Sequence, residues 1–267
     1  MVAANGTHQK PAAALAGGAV IGTLGGLIGL GGAEFRLPLL IGVFRFATLE
    51  AIILNKAMSL IVVASALVFR TKTVSVALMA YHLDVIANLL AGSLIGAWLG
   101  ASWATRMKST TLYRVIAVLL VLIAVVLLAG HEATTTRGTA FDGWALYVSG
   151  GLAGLGIGII ASLMGVAGGE LLIPTLVLLF GVDIKLAGSL SLVVSLPTML
   201  VGFARYSRDQ SFAVLRRNKA FLLLMAAGSI AGTLIGAFLL GFTSGAVLYP
   251  LLALILAVSA IKVWRHA

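Results

Sequence analysis

Two acidic residues stand in nearly identical surroundings in the two halves of the chain. Glu34 lies in GLGGAEFRLP and Glu170 in GVAGGELLIP, each behind paired glycines and four residues ahead of a proline. Poor hydration favours the protonated form of a carboxyl group, and a bound anion beside it favours that form further. The pair therefore predicts proton carriers. The alternative is that each glutamate stabilises a helix start or pairs with Arg36 or Lys185.

The glycines before each glutamate predict a broken helix followed by a short new one. Glycine costs about 1 kcal/mol in a helix interior, whereas Pro38 and Pro174 are tolerated early in a new half-helix. Backbone N–H groups at such a start form a concavity that binds anions. The predicted substrate cradle consists of Gly31, Gly32, Ala33, Gly168 and Gly169.

Polar residues on the following spans could complete this site. Asn55 and Ser59 are four residues apart and share a helix face, as do Ser191 and Ser195 in the second half. Their amide and hydroxyl groups could bind an oxyanion or could bridge helices structurally. Lys56 either forms an ion pair with Glu34 or Glu50, snorkels to the interface, or attracts the anion; the ion pair is favoured.

The composition places these residues in a membrane. Of 267 residues, 61% are hydrophobic and only 10% charged, whereas soluble domains have about a quarter charged residues. Several uncharged runs reach the roughly 20 residues needed to cross a bilayer as a helix. The alternation typical of an outer-membrane barrel is absent.

An internal repeat extends through the whole chain. Shifting the sequence by 136 positions aligns Glu34 with Glu170, Pro38 with Pro174, and Gly92-Ser93 with Gly228-Ser229. We therefore predict an all-α membrane protein with two four-helix repeats, 1–133 and 134–267, that together make one transport domain. The eight expected spans are 12–33, 47–69, 85–105, 112–130, 144–169, 186–204, 220–241 and 246–262. The re-entrant half-helices are expected at Leu37–Phe44 and Leu171–Val182, each too short to cross a bilayer.

Eight crossings would put both termini on one side of the membrane. Eleven lysines and arginines then share that side, against six opposite, so the positive-inside rule predicts cytoplasmic termini. Four crossings per repeat would relate the halves by an axis along the membrane normal, and a miscounted half-helix would make them inverted. Glycines four residues apart in several spans indicate close helix packing, with a conduction path as the alternative.

Several functional classes have no support in the sequence. Without cysteine there is no thiolate chemistry or sulfur-ligated metal, and no histidine has metal-ligand spacing with a partner. We assign no catalytic residue, cofactor or metal. The cations lie between apolar runs, which argues against nucleic acid as a partner.

The paired motif Gly-x-x-Gly-(Gly/Ala)-Glu-x-x-x-Pro resembles the sulfite exporter TauE/SafE family of membrane permeases. ILNKAMSL and LAGSLSLVVSLP follow the two motifs, GSLIGAWLG and GSIAGTLIG lie further on, and the resemblance covers about 12 to 262. It implies transport of a small sulfur-containing anion such as sulfite or a sulfonate.

Together these features predict a secondary transporter in the inner (plasma) membrane, with a proton-coupled exporter as the leading hypothesis. An anion channel or uniporter is the alternative, followed by a membrane-embedded enzyme. The expected partners are the anion, protons and the lipid bilayer. The oligomeric state is left open, with a homodimer as one possibility.

Overall fold

A computed structural model describes residues 11–28, 32–70, 76–130 and 143–240, together with 254, 257–258, 260–261 and 263–265. The described chain is helical. Its helices are α1 (Pro11–Ile28), α2 (Ala33–Gly42), α3 (Thr48–Arg70), α4 (Val76–Tyr81), α5 (Leu83–Arg106), α6 (Ser109–Gly130), α7 (Trp144–Met164), α8 (Gly169–Phe180), α9 (Ile184–Tyr206), α10 (Ala213–Arg217) and α11 (Lys219–Leu240).

Five described helices are long and apolar enough to cross a membrane, which agrees with a multi-pass membrane protein. The five stretches are Thr48–Val68, Leu83–Arg106, Trp144–Met164, Leu186–Tyr206 and Lys219–Gly236. Shorter apolar stretches are described at two more expected spans, Pro11–Gly25 and Ser109–Val125. Most of the last expected span, 246–262, lies outside the described residues.

Helices α1 and α2 form a hairpin rather than two successive steps across the bilayer. A Cβ atom built on Gly17 would lie 3.2 Å from Leu39 Cδ2, and one on Gly32 would lie 3.3 Å from Gly25 Cα. The middle of α1 therefore lies beside the end of α2, and a later part of α1 lies beside the residue that precedes α2, so the two helices are antiparallel. Gly32 allows the reversal because its φ of 66° is left-handed, a conformation that glycine adopts without steric cost.

Helices α7 and α8 form the equivalent hairpin in the second half. A Cβ atom on Gly168 would lie 3.1 Å from Ile157 Cγ2, and one on Gly150 would lie 2.6 Å from Phe180 Cζ. Gly165 and Gly168 are both left-handed at the bend, with φ of 68° and 81°. The chain thus turns back after α7 much as it does after α1.

A seam of glycines joins α1 to α11. A side chain at Gly18 would meet the backbone of Met225, and one at Gly22 would meet the backbone of Ser229. Residue numbers rise together along both helices, so α1 and α11 are parallel. Small residues allow this direct backbone contact.

A second seam joins α5 to α7 in the same way. Gly92 faces the backbone of Gly151, and Gly96 faces that of Leu155, so these helices are also parallel. Each seam pairs the first long helix of one half with the third long helix of the other. The packing interpretation of the glycine stripes is confirmed for the glycines named here.

The two halves run in opposite directions. Lys56 of α3 lies beside Ala161 of α7, and Ile52 of α3 lies beside Gly165, the residue that follows α7. Because the numbering runs oppositely, α3 and α7 are antiparallel. Glu50 of α3 pairs with Arg217, just before α11. Further along both helices, Ser59 and Ser229 each accept a hydrogen bond from Arg36, so α3 and α11 are parallel. Hence α1, α3 and α11 run one way, and α5 and α7 run the other.

The first long helices of the two halves, α1 and α7, therefore run in opposite directions. Four full crossings per half stay a prediction, since Trp144–Met164 is long and apolar enough to cross a membrane. The halves are therefore inverted relative to each other, which was the alternative to an axis along the membrane normal.

Candidate functional site

The two hairpin tips meet inside the protein, and Asn55 of α3 holds them together. Its Nδ2 donates to the carbonyl oxygen of Ala33 at 2.9 Å, where α2 begins, and to that of Met164 at 3.1 Å, where α7 ends. Asn55, Ala33 and Met164 are all buried. One amide thus joins the α1/α2 tip to the α7/α8 tip.

Glu34 and Glu170 face each other across this junction. Their carboxyl groups are close enough to interact electrostatically, and 0% and 5% of their respective surfaces is exposed. In the described part of the chain, no protein group donates a hydrogen bond to either oxygen of Glu34 or to Oε2 of Glu170. Two such carboxylates repel each other, and a shared proton removes that repulsion.

Arg36 places a guanidinium group beside this pair. The residue is fully buried and interacts electrostatically with Glu34. Its Nη1 donates to Asn55 Oδ1 at 3.3 Å and to Ser59 Oγ at 3.2 Å, and its Nη2 donates to Ser229 Oγ at 3.2 Å. Since Ser229 belongs to α11, Arg36 connects the two halves at the site.

The predicted glycine cradle lies at the starts of α2 and α8. Gly32 and Gly168 are the left-handed residues preceding these helices, and neither helix start has a side-chain cap. The first amides of a helix have no carbonyl partner one full turn before them, and in α8 the N–H of Leu171 donates instead to Gly168 O at 3.1 Å. Ala33 and Gly169 are the first residues of these two turns. Gly31 lies outside the described residues.

The half-helices begin earlier than expected. α2 starts at Ala33 and α8 at Gly169, so the glutamates lie in the first turn, and Pro38 and Pro174 are inside the helices rather than at their beginning. A proline cannot donate to the carbonyl four residues before it. The Glu-x-x-x-Pro spacing therefore removes the helical partner of each glutamate's own carbonyl group.

The predicted polar residues of the second half, Ser191 and Ser195, donate hydrogen bonds to backbone oxygens. Ser195 Oγ donates to Ala167 O at 2.8 Å, which ties α9 to the second tip, and Ser191 Oγ donates to Gly188 O at 3.0 Å within its own helix. Both residues are buried. Ser195 thus lies at the junction, whereas the contact of Ser191 does not reach the tips.

Lys56 does not form the ion pair favoured from the sequence. Glu50 pairs instead with Arg217, and Glu34 faces Glu170. Lys56 Nζ donates to Ala161 O at 3.3 Å and is fully buried. Neighbouring positions on a helix point about 100° apart, so Asn55 reaches the tips while Lys56 faces α7 and α9.

Sequence reasoning missed the central positions of Arg36 and Ser229. Arg36 was considered only as a partner for Glu34 and as an interfacial charge, because it follows an apparent span end. Two signals were available: its place two residues after the glutamate in a buried half-helix, and the Gly-Ser pair that repeats at Ser93 and Ser229.

The family model described as Sulfite exporter TauE/SafE matches residues 2–127 and 150–267. No curated protein and no solved structure matches the chain.

Proposed function

The chain belongs to the sulfite exporter TauE/SafE family, and on that premise we propose that it is a proton-coupled secondary exporter of a small sulfur oxyanion such as sulfite or an organosulfonate. Family membership implies a membrane transporter of sulfite-like anions rather than an enzyme. One observation supports proton coupling above all: two carboxyl groups from opposite hairpins face each other in a buried site beside a buried arginine.

The charges at this site favour binding of the anion and the proton together. With one proton shared between Glu34 and Glu170, the remaining negative charge balances that of Arg36. A second proton leaves the guanidinium uncompensated, and an anion then restores neutrality. Since an uncompensated charge is costly in a poorly hydrated interior, each ligand increases the affinity for the other.

The anion-binding groups in this proposal come from both tips. Backbone N–H groups of the predicted cradle, Gly31, Gly32, Ala33, Gly168 and Gly169, would receive the oxyanion at the positive helix ends. Arg36 would release its contacts with Asn55 and Ser59 to bind the anion in a bidentate manner. Further hydroxyl donors would be Ser191 and Ser195, with Lys56 adding positive charge nearby.

The proposed architecture comprises two inverted repeats, 1–133 and 134–267, within one transport domain. Each repeat contributes four long helices, of which the first joins a short helix to form a re-entrant hairpin. Substrate sites near the meeting point of inverted repeats are typical of secondary transporters, and alternating access would rock one repeat against the other.

The cations indicate how the protein is oriented. Following the helix directions, Arg45, Arg106, Arg217 and Lys219 lie at the face where α3 and α11 begin, whereas Arg70 ends α3 at the opposite face. Arg205 lies at the first face too, because it donates to Ser102 near the end of α5. The positive-inside rule makes the first face cytoplasmic. Both termini would then lie in the cytoplasm of a cell whose inner membrane holds the protein.

Proteoliposomes test this proposal directly. Vesicles loaded with sulfite receive a pH gradient, and sulfite efflux and internal pH are followed together. For the wild type and for Glu50→Gln, a control outside the site, we expect the internal pH to change as sulfite leaves the vesicles. In Glu34→Gln/Glu170→Gln, the coupled proton movement should disappear. Efflux without proton movement in the wild type would indicate a uniporter or channel, and inactivity towards a panel of sulfur anions would overturn the transport proposal.

A further inference from the structure

A groove lies where α10 meets α11. Its volume is about 840 Å³, within the range of pockets that bind small organic ligands, about 300–1,000 Å³. Four large apolar side chains contribute to its lining: Phe212, Leu215, Leu222 and Leu223. Leu223 is 61% exposed, so the groove opens to the surroundings of the protein on this side.

Cations border the same groove. Arg216, Arg217 and Lys219 contribute to its lining, and none of the lining residues is acidic. Arg217 pairs with Glu50 of α3, which leaves Arg216 and Lys219 without an acidic partner among the described residues. Both of these residues are exposed. The groove therefore offers two positive charges beside an apolar floor.

The charged and apolar parts of the groove follow the order of a membrane surface. Lys219 is the first residue of Lys219–Gly236, a stretch long and apolar enough to cross a membrane. Leu222 and Leu223 follow three and four residues later on α11, about 5 Å nearer the hydrocarbon core at the rise of a helix. A bilayer likewise has charged headgroups at its surface and hydrocarbon beneath them. A phospholipid in the groove would thus place its phosphate beside the cations and a chain against the leucines.

Contacts on the far side of α10 hold this helix in place. Val214 is buried and belongs to the hydrophobic core. The ring of Phe212 packs edge-on against that of Phe203 on α9, with 5.0 Å between their centroids. Asn218 Nδ2 donates to the carbonyl oxygen of Val214 at 3.0 Å, at the end of α10. The α10 wall of the groove is therefore formed before any ligand arrives.

The matching connector of the first half lacks these cations. The repeat aligns Arg216 with Ala80 and Lys219 with Leu83. Because α5 and α11 run in opposite directions, the two connectors lie at opposite faces of the membrane. The positive-inside rule accounts for an excess of cations at one face. It does not account for their position around an apolar groove.

We propose that this groove binds one anionic phospholipid, with the phosphate between Arg216 and Lys219 and an acyl chain along Leu222 and Leu223. The phosphate supplies the negative charge that the lining lacks, and basic pockets beside membrane-crossing helices are known to bind anionic headgroups. The site shares no residue with the junction of the hairpin tips. It does not depend on which anion is transported.

Thermal unfolding of the full-length protein in a nonionic detergent tests this site, because a ligand that binds only the folded state raises Tm. Phosphatidylglycerol, phosphatidylcholine and inorganic phosphate are titrated separately. Arg216→Gln/Lys219→Gln removes both charges, Arg216→Lys/Lys219→Arg keeps them, and Ala213→Leu adds bulk to the groove, which Ala213 lines. The matched control is Arg106→Gln/Lys108→Gln, which removes two exposed cations at the end of α5, on the same face.

We expect phosphatidylglycerol to raise the Tm of the wild type at lower concentrations than phosphatidylcholine does. The charge-keeping variant and the control should respond like the wild type. Arg216→Gln/Lys219→Gln and Ala213→Leu should each need roughly tenfold or more phosphatidylglycerol for the same rise in Tm. The first variant loses the charges that attract the phosphate, and the second loses the space for the acyl chain.

Four results would overturn the lipid site. Equal stabilisation by phosphatidylglycerol and phosphatidylcholine would show that the charge of the headgroup is not recognised. An unchanged response to phosphatidylglycerol in either Arg216→Gln/Lys219→Gln or Ala213→Leu would remove the groove from the site. An equal loss of response in the control would indicate a general attraction to the basic face, and inorganic phosphate as effective as phosphatidylglycerol would indicate a site for a free anion. Transport is not among these measurements, so this site and the proposed transport function are tested separately.

Discussion

The two halves share their backbone design and differ in their charges. Each has a hairpin with a left-handed glycine at the bend, a glutamate in the first turn of the short helix and a glycine seam to the other half. Yet Arg36 and Lys56 of the first half align with Leu172 and Leu192 of the second. The scaffold is symmetric, whereas the buried guanidinium of Arg36 and the buried ammonium of Lys56 belong to one repeat.

This difference indicates which features the fold requires. Glycine seams and bends occur twice because both hairpins need them. Among the residues whose burial is described, one guanidinium (Arg36) and one ammonium (Lys56) are buried, both in the first half, although burial of a cation is costly in either half. The single copies are therefore the better candidates for ligand binding.

Replacing Arg36 by the residue of the other half should have the largest effect. Arg36→Leu removes the partner of Glu34 and leaves a buried carboxylate uncompensated, which costs about 3–5 kcal/mol. We expect sulfite efflux to fall by about 100-fold or more, while Arg36→Lys, which keeps the charge, retains more activity. Leu172→Met is the control at the matching position in the second half. Equal efflux for Arg36→Leu and this control would contradict the inference that the cation of the first half is needed for transport.

Filling either glycine seam should lower the stability of the protein by an intermediate amount, and by a similar amount for both seams. Gly22→Ala and Gly96→Ala each place a methyl group against the backbone of a facing helix, and overpacking of this kind costs about 1–3 kcal/mol. We expect similar decreases in Tm for the two variants. The comparison variant is Gly156→Ala, whose methyl group meets nothing within 4 Å; if its Tm fell as far, the decreases would not report on the seams.

Shortening Asn55 to the residue of the second half should have the smallest effect. Asn55→Ser removes the hydrogen bonds from the side-chain amide to Ala33 O and Met164 O, each contributing about 1 kcal/mol. The contact between the tips is weakened as a result. We expect a modest fall in Tm together with slower efflux. The control is Ser65→Ala, which loses a hydrogen bond within the same helix and should change efflux little. Equal losses of efflux in the two variants would show that the hydrogen bonds between the tips do not matter for transport.

The sequence was sufficient to predict that the two Gly-rich motifs meet. The repeat, the glycine breaks and the carboxylates recur at one spacing, and repeated motifs of this kind commonly face each other in transporters. Helix type and approximate position were also predictable, because long uncharged runs have few alternatives in a bilayer.

Chain direction and side-chain partners were harder to predict. Hydropathy reports the length of an apolar run and not whether the chain returns, so residues 12–33 were counted as a crossing although the chain bends near Gly32. The partner of Lys56 was misassigned because sequence distance suggested Glu34 or Glu50. Arg217, far along the chain, pairs with Glu50 instead, and Glu34 lies beside Glu170. Such pairings depend on tertiary packing that spacing alone does not encode.

The exchange of helices between halves affects how the protein must be made. Because α1 lies against α11 and α5 against α7, the first half that leaves the ribosome has no partner for the glycine faces of α1 and α5. Those surfaces remain exposed to lipid until the second half is inserted into the membrane. A chain interrupted near its middle would yield two fragments that mature only when they are brought together.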